Sequence, residues 1–340
     1  MNLNHQTIFV IGSSRSGTTM TGRMLNKHHE IFTFNELHFY EQLWKQQDQT
    51  EEVNQIEALE LLNTLFSTQR DGYFHRKADT KYSGESESIL KSLNATSFFA
   101  HEIYKAFINY EVSKNEKKIG CEQTPRNVYY VDAILNHFSN PLFIHIVRDP
   151  RDVLLSQKNR WKRRKFSENT VPLQQTIRQW INYHPLTIGK LWMGANNKIH
   201  LHKNKPYYYI FKYEDFLINS EKEAKLICEF IGIPFYVEMT KIPNIGSSLK
   251  QDKPGQLGID KSKINGWKRG GLNNTEIFIC QQICKPIMIE NGYELEKVTP
   301  NIFLLIYYYC IFPVMGLMAV IFSFNRIKNI RETIKRRFID

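Results

Sequence analysis

A short apolar run near the amino terminus leads directly into a loop rich in glycine and serine. Thr7–Gly12 (TIFVIG) is typical of a buried strand, and Thr18–Asn26 of the helix after it. Between them, Gly12-Ser13-Ser14-Arg15-Ser16-Gly17-Thr18-Thr19 keeps the spacing of two glycines that phosphate-binding loops use. Backbone N–H groups and the amino end of the helix bind anions in such loops. The sequence therefore predicts an α/β fold with an anion site here.

Further apolar runs alternate with helical patterns along the chain. Pro141–Val147 and Tyr207–Tyr213 have the composition of buried strands, and Asp152–Arg160 has a helical pattern. Strands that alternate with helices predict a parallel sheet with helices on both faces. Lys241–Gly271 is rich in Gly, Pro and Lys and predicts a long loop. We expect residues 1–298 to form one domain.

The residue after the second glycine distinguishes this loop from that of a nucleoside triphosphatase. Those enzymes have Lys there, whereas this chain has Thr18 and carries its cation inside the loop as Arg15. Without that Lys, transfer of a terminal phosphate with Mg²⁺ is disfavoured, and so is a kinase. The loop instead suits a 5′-phosphate that bears one further anionic group. A glycine–serine turn before a helix also occurs by chance, but the preceding strand and Arg15 favour the anion site.

A second cationic group follows the strand predicted at Pro141–Val147. Arg148 comes at the carboxyl end of that strand, where ligands bind in open α/β sheets. Ser156 and Arg160 are one helical turn apart and share a face of the next helix. Two guanidinium groups and a hydroxyl predict a second phosphate site. The alternative is a solvated charged turn, which we favour for Arg151 and not for Arg148.

These two sites resemble those of the sulfotransferases that use 3′-phosphoadenosine-5′-phosphosulfate (PAPS). The resemblance covers roughly residues 7–295 and is closest to the bacterial and tyrosylprotein branch. It implies a P-loop-like core and transfer of a sulfuryl group from PAPS to an acceptor hydroxyl, with no metal. The landmarks stand in the family's order: Arg15–Thr19, Glu122–Arg126, Ile144–Ser156, Lys212–Asp215, Trp267 and Gly292-Tyr293.

The resemblance also implies roles for single residues. The loop would hold the 5′-phosphosulfate, the two arginines and the serine of the second site would hold the 3′-phosphate, and a tyrosine would contact the nucleotide. The implied donor-binding residues are Arg15, Ser16, Gly17, Thr18, Thr19, Arg148, Ser156, Arg160 and Tyr213. Ser247, Ser248 and Lys263 are weakly aligned further contacts.

Glu36 is the catalytic base that the resemblance implies. In the tyrosylprotein branch the base is a Glu twenty-one positions after the loop arginine, and that position is Glu36 here. Arg15 would stabilise charge on the leaving phosphate. The structural alternative is that Glu36 balances the dipole of a helical segment at His38–Trp44. If Glu36 is not the base, His38 is the next candidate.

Gln123 departs from the family's pattern, because many relatives have a Lys there that neutralises the leaving phosphate. Gln donates a hydrogen bond but carries no charge. This residue therefore supports an alternative function, a membrane-tethered nucleotide-binding protein with little catalytic activity. The acceptor stays open among a carbohydrate, a lipid headgroup, a peptide tyrosine and a small alcohol.

The carboxyl-terminal region, residues 299–340, differs in composition from the rest. Ile302–Phe324 has 23 residues without a charge, enough at ~1.5 Å per residue to cross a ~30 Å bilayer core. A buried terminal helix is the weaker alternative. We expect membrane association with a cytoplasmic catalytic domain, through a hairpin or an in-plane segment that turns near Pro313–Gly316 and keeps both ends on the cytoplasmic side.

The net charge of +11 is concentrated in two segments. Residues 158–165 carry six cations, and the tail carries six more. Such patches suit anionic partners, and we expect the tail to contact anionic membrane lipids. Binding of nucleic acid is disfavoured, since basic residues interleaved with stacking aromatics are missing from the sequence. The tail cations are Arg326, Lys328, Arg331, Lys335, Arg336 and Arg337.

Overall fold

β1 (Gln6–Gly12) lies at the centre of a five-stranded parallel sheet. The structure, a computed structural model, describes residues 5–75, 80–166, 171–244, 253–324 and 329–338. The strand order is β2-β3-β1-β4-β5, which confirms the predicted α/β architecture. In the register, Gln6 of β1 is opposite Ile119, and Ile8 is opposite Leu142. The other strands are β2 (Ile31–Thr33), β3 (Ile119–Glu122), β4 (Leu142–Val147) and β5 (Tyr208–Lys212).

Helices cover both faces of the sheet. Successive side chains of β1 point to opposite faces, so Phe9 and Ile11 join one buried apolar cluster while Ile8 and Val10 join another. The helices are α1 (Thr18–Leu25), α2 (Gln55–Arg70), α3 (Ser83–Leu93), α4 (Ala100–Lys114), α5 (Val131–His137), α6 (Pro150–Lys158), α7 (Arg163–Phe166), α8 (Leu173–Ile181), α9 (Pro185–Asn197), α10 (Ile199–His202), α11 (Tyr213–Ile218), α12 (Ser220–Ile231), α13 (Asn274–Glu290), α14 (Ile302–Ile321) and α15 (Ile330–Phe338).

Two local predictions are corrected. α6 begins at Pro150 and not at Asp152, because the side chain of Asp149 accepts the backbone N–H of Arg151 and caps the helix. Within residues 241–271, a short antiparallel pair replaces part of the predicted loop. Its strands are β6 (Pro243–Asn244) and β7 (Lys253–Leu257). Ser247 and Ser248 lie outside the described residues.

Arg151 is buried, so its interpretation as part of a solvated turn is wrong. It is 3 % exposed, and its guanidinium donates to both carboxylate oxygens of Asp149 and to Gln281 Oε1 at 3.0 Å. The same guanidinium lies 4.0 Å from the ring centroid of Trp267. A buried arginine needs this many partners to offset its lost hydration. Arg151 therefore ties α6 to the carboxyl-terminal part of the domain.

α14 is one continuous helix, and the expected turn near Pro313–Gly316 is wrong. Proline removes one backbone hydrogen bond without ending a helix whose neighbouring turns are packed. Here Phe312 lies 5.2 Å from the ring of Phe338, which also packs against Gly316. The chain reverses between α14 and α15, and α15 packs on α9 and α14.

α14 is long and apolar enough to span a membrane. It contacts α8 and α9 on one side, but most of its side chains are exposed, as with Phe303 at 80 %. The alternative of a buried terminal helix therefore does not describe α14.

Candidate active site

A cavity of about 540 Å³ opens at the carboxyl ends of β1 and β4. We call it the first cavity. The fold brings together every donor-site and catalytic residue expected from the sequence except Ser16, whose side chain is fully buried beneath the loop. The expected residues that line it are Arg15, Gly17, Thr18, Thr19, Glu36, Arg148, Ser156, Arg160 and Tyr213.

The loop after β1 needs glycine at both ends. Gly12 has φ 148°, and a β-carbon there would lie 2.6 Å from the carbonyl oxygen of Ile146 on β4. Gly17 has φ 107°, and its β-carbon would overlap the ring of Tyr213. Only glycine adopts these angles without strain and permits such close approach. The loop therefore sits directly against β4 and α11, with its backbone next to the cavity.

Three arginines converge on the loop. Arg15 Nε donates to Ser156 Oγ at 3.0 Å, and Arg148 Nη1 donates to the carbonyl oxygen of Arg15 at 2.8 Å. The guanidinium of Arg148 also lies 4.5 Å from the ring centroid of Tyr213. Burial, and then the charges of Arg160 and Arg148, lower the pKa of Arg15 to about 9. Cations held this close repel one another, so an anion bound among them would be strongly favoured.

The backbone of Arg148 is held by a side chain of α9. The indole Nε1 of Trp192 donates to the carbonyl oxygen of Arg148 at 2.9 Å. Within the described part of the chain, the buried Nε of Arg148 has no hydrogen-bond partner. A buried donor of this kind is costly unless a ligand satisfies it. Arg148 is thus oriented to bind an anion in the first cavity.

Glu36 belongs to a row of side chains in which acidic and basic groups alternate. The sequence identified only part of this row. His38 Nε2 lies 3.3 Å from Glu36 Oε2, and His38 Nδ1 lies 3.2 Å from Glu41 Oε2. Glu41 in turn forms an ion pair with Arg126. His38 has φ 52°, in the left-handed region, and begins a single π-helical turn at Phe39–Leu43. This turn brings Glu41 back to His38.

The pKa values of Glu36 and His38 shift in opposite directions and so distinguish the two candidate bases. Burial raises the pKa of the Glu36 carboxyl, but the hydrogen bond from His38 and the charge of Arg160 outweigh burial and hold that pKa below its usual range. Burial lowers the pKa of His38, but hydrogen bonds to Glu36 and Glu41 raise it to about 10. At neutral pH Glu36 is a carboxylate and His38 carries a proton. Of the two, only Glu36 is able to accept one.

Glu122 and Thr124 hold the Glu36 segment in place, a role that sequence analysis missed. The backbone N–H of Leu37 donates to Glu122 Oε1 at 3.3 Å, and that of His38 donates to Thr124 Oγ1 at 3.2 Å. Burial raises the pKa of Glu122 to about 7. The signal was present in the sequence as the landmark at Glu122–Arg126, but which backbone groups it binds depends on the fold.

A second cavity of about 610 Å³ adjoins the first. We call it the second cavity. Glu36 and Arg160 line both cavities, as do Ser14, Thr19 and Pro125. The glutamate carboxylate, with its side chain 36 % exposed, therefore lies where the two spaces meet. A reaction between a molecule in each cavity would take place at Glu36.

Gln123 is held by the packing around β3. Its Nε2 donates to the carbonyl oxygen of Phe34 at 2.9 Å, and a β-carbon at Gly22 of α1 would overlap its Oε1. Gln123 lines the second cavity and not the first. Lys263, one of the weakly aligned residues, does line the first cavity, and burial lowers its pKa.

Comparisons with known proteins give the family and the fold of the chain. A sequence profile described as "Sulfotransferase family" matches residues 7–237. An uncharacterized protein of Aquifex aeolicus (strain VF5) is 26 % identical over 269 residues, covering 77 % of this chain and 30 % of that protein. The chain thus spans about a third of the length of this curated relative.

Two solved structures share the fold. The sulfotransferase domain from the curacin biosynthetic pathway superposes with a TM-score of 0.51 and 20 % identity, covering 86 % of this chain and 99 % of that domain. The sulfotransferase domain of the Synechococcus PCC 7002 olefin synthase gives 0.52 and 19 %, covering 86 % and 97 %.

Proposed function

The chain belongs to the sulfotransferase family, and on that premise we propose that it transfers a sulfuryl group from PAPS to the hydroxyl group of an acceptor. The observation that carries this proposal is the meeting of two cavities at Glu36. The first cavity is lined by Arg15, Arg148 and Arg160, and the second is open to another molecule. A donor and an acceptor would thus approach the same carboxylate from two sides.

The first cavity suits PAPS in volume and in charge. About 540 Å³ lies within the range of small-molecule sites. The loop N–H groups and Arg15 would hold the 5′-phosphosulfate. Arg148, whose Nε needs a partner, would bind the 3′-phosphate together with Ser156 and Arg160. The ring of Tyr213, packed against Gly17 and Arg148, would contact the nucleotide.

The proposed reaction is a single in-line displacement at sulfur. The acceptor oxygen forms a bond to sulfur as the bond from sulfur to the bridging oxygen of the 5′-phosphate breaks, and that oxygen keeps the electron pair. Glu36 takes the proton of the acceptor hydroxyl as general base. Arg15 and the loop N–H groups stabilise the charge that develops on the leaving phosphate. As the family resemblance implies, no metal takes part.

The test is incubation of the full chain with PAPS radiolabelled on sulfur and a cell extract. We expect label to appear in an acceptor fraction, together with an equal amount of the 3′,5′-bisphosphate product. Boiled protein and the Arg15→Ala variant are the controls. If all of the label remained in PAPS and no fraction of the extract became labelled, the proposal would be contradicted.

A nucleotide-binding protein with little catalytic activity is the second candidate, and Gln123 favours it. Its amide is engaged with Phe34 and offers no positive charge to a leaving phosphate. The same incubation decides between the two candidates. Tight binding of the bisphosphate product without transfer of label would support the second.

Replacing His38 by Gln is expected to move the acidic limb of the pH profile of kcat/KM to higher pH. The hydrogen bond and charge of His38 hold the pKa of Glu36 down, so their loss raises that pKa. A base of higher pKa becomes protonated, and inactive, at a higher pH. The profile of the exposed-site variant His200→Gln should match the parent. A limb that stays in place or moves to lower pH would rule out this coupling.

We propose that α14 associates with a membrane in its plane, with the catalytic domain in the cytoplasm. Both ends of this region contact the domain: the Asn301 N–H donates to Thr275 Oγ1 at 2.9 Å, and Asn329 Nδ2 donates to the carbonyl oxygen of Trp44 at 3.3 Å. In the middle, His184 lies 5.4 Å from the ring of Phe312. Contacts with the domain before, within and after α14 support an in-plane position.

A reporter fused after Asp340 is therefore expected to score as cytoplasmic. The in-plane position keeps the tail cations on the side that the positive-inside rule favours. The matched control is the same reporter fused to a chain in which a known membrane-spanning segment replaces Ile302–Phe324. An external score for the unaltered chain would overturn the in-plane assignment.

A further inference from the structure

The wall of the second cavity includes parts of the carboxyl-terminal region. Thr333 and Arg337 of α15, and Ser323 just after α14, line it together with Glu36. Arg337 is 5 % exposed, and its Nη2 donates to Asn182 Oδ1 at 2.7 Å. The region that follows the family match therefore helps to form the space next to the catalytic carboxylate.

α8 separates this cavity from an exposed apolar surface. Its polar side chains Gln175, Arg178 and Gln179 line the second cavity. Its large apolar side chains lie at the spacing of one helix face and are exposed, Leu173 and Trp180 at 59 % and Ile177 at 44 %. One helix thus has a cavity on one side and an apolar face on the other.

α14 carries a second exposed apolar surface and packs beside α8. The two helices pack together, and α14 has no charged residue in twenty. We call the combined surface the apolar platform; its exposed members are Leu173, Ile177, Trp180, Ile302, Phe303, Ile306, Tyr307, Tyr309, Val314, Leu317 and Ile321. Many exposed apolar side chains on two packed helices mark an interaction site.

Cations lie on segments that pack against α8 and α14. The segment Arg160–Lys162, within the basic stretch, contacts α8. Arg331 and Lys335 are exposed one turn apart on α15, whereas Arg336 stacks on Tyr129 at 4.2 Å and is not available to lipid. Exposed apolar rings and aliphatic side chains flanked by cations are typical of surfaces that lie on anionic lipid. A lipid bilayer is the occupant that this combination fits.

The second cavity is itself rich in cations. Five arginines line it, against three carboxylates; of these arginines, Arg70 is ion-paired with Glu85 and Glu111, and Arg126 with Glu41. Among the described residues, no carboxylate forms an ion pair with Arg337, and burial lowers its pKa to about 10. A buried guanidinium in this state favours an anionic ligand. The arginines are Arg70, Arg126, Arg160, Arg178 and Arg337, and the carboxylates are Glu36, Glu41 and Asp71.

We propose that the acceptor is an anionic membrane lipid with a hydroxyl-bearing headgroup, taken from the bilayer on which the apolar platform lies. Arg337 and Arg178 bind the lipid phosphate, and the headgroup hydroxyl reaches Glu36 within the same cavity. This inference rests on the proposed function and assigns its substrate class. The displacement is unchanged: the headgroup oxygen bonds to sulfur, the bridging oxygen of the donor leaves with its electron pair, and Glu36 takes the proton.

The test uses the full chain, PAPS radiolabelled on sulfur, and phosphatidylcholine vesicles containing phosphatidylglycerol, an anionic lipid with headgroup hydroxyls. We expect label in the lipid extract of these vesicles, and none with phosphatidylcholine alone or with added phosphatidic acid, which lacks the headgroup hydroxyl. The soluble headgroup, glycerophosphoglycerol, should react about 100-fold less efficiently, because the surface concentrates enzyme and acceptor. The lipid assignment would be overturned if the soluble headgroup accepted the sulfuryl group as efficiently as the vesicles do. It would also be overturned if the lipid extract contained no label.

A separate arm distinguishes failure of the lipid assignment from failure of the proposed function. Label transferred from PAPS to a water-soluble acceptor of a cell extract, with unlabelled vesicles, would overturn the lipid acceptor alone. Binding of the bisphosphate product without transfer in any fraction would overturn both.

Two sets of variants test the surfaces separately. Leu173→Glu with Ile177→Glu should reduce binding to the phosphatidylglycerol vesicles about 100-fold and leave reaction with the soluble headgroup unchanged. Ile218→Glu, at a side chain also 59 % exposed but on α11, is the matched control. Unchanged vesicle binding by the double variant would overturn the role of the apolar platform.

Arg337→Gln should raise KM for phosphatidylglycerol about 10- to 100-fold, the loss expected for one charged hydrogen bond, with vesicle binding unaltered. Arg337→Lys, which keeps the charge, should recover part of this loss. Affinity for the bisphosphate product, measured by calorimetry, shows whether each variant is folded. An unchanged KM in folded Arg337→Gln protein would overturn the role of Arg337.

Discussion

Replacing Glu36 by Gln is expected to lower the turnover of sulfuryl transfer by about 10²–10⁴-fold, the typical contribution of a positioned general base. The amide keeps the shape of the side chain and accepts a hydrogen bond from His38, but it cannot take the acceptor proton. Glu36 is partly exposed at the junction of the two cavities, so little folding free energy depends on it. Affinity for the bisphosphate product and the melting temperature should therefore change little.

Single-turnover transfer of label from bound PAPS measures this effect without a contribution from product release. Glu36→Asp is the matched variant, because it keeps the charge but withdraws the carboxylate, and it should retain part of the rate. The structural alternative, a carboxylate that balances the turn at Phe39–Leu43, makes the opposite prediction. In that case Glu36→Gln would keep its turnover and melt at a lower temperature.

Replacing Arg148 by Ala is expected to weaken binding of 3′,5′-bisphosphoadenosine by about 1.5–3 kcal/mol, the range for a hydrogen bond to a charged group. Binding of the analogue without the 3′-phosphate should weaken much less. Arg148 also donates to the carbonyl oxygen of Arg15 and stacks on Tyr213, so part of any loss comes from a loosened loop. That part affects both nucleotides, and the ratio of their dissociation constants removes it.

Calorimetric titration with both nucleotides measures this ratio. Arg269→Ala is the matched control, because Arg269 is a guanidinium that lines the same cavity and, among the described residues, donates to nearby loop carbonyls. Its loss should affect both nucleotides alike. A ratio for Arg148→Ala equal to that of the control would remove Arg148 from the 3′-phosphate site.

Several features of the first cavity could be predicted because they depend on short stretches of chain. A buried strand, two glycines at fixed spacing and a helix are a local pattern, and the left-handed backbone angles of both glycines are ones that only glycine adopts without strain. Arg148 was predictable for a similar reason. It follows a buried strand directly, and the carboxyl ends of parallel strands share one edge of the sheet.

The roles of some residues whose partners are distant in sequence were not predictable. Arg151 carries the charge of a surface turn, yet its partners include Gln281 and the ring of Trp267. His38 was a second candidate for the base until the fold placed it between Glu36 and Glu41, where their hydrogen bonds raise its pKa to about 10. Burial and charge at these positions come from segments that meet only in the folded chain.

The carboxyl-terminal region also combines features that the sequence predicts with features that only the tertiary structure decides. A run of 23 uncharged residues followed by cations predicts a membrane-associating segment from composition alone, because hydropathy is a sum over neighbouring residues. Packing against α8, α9 and Phe338 decides whether that helix turns at Pro313. It also decides which cations of the tail contact the domain. The contribution of Arg337 to the second cavity was therefore decided by tertiary structure, since its hydrogen-bond partner Asn182 is 155 residues away along the chain.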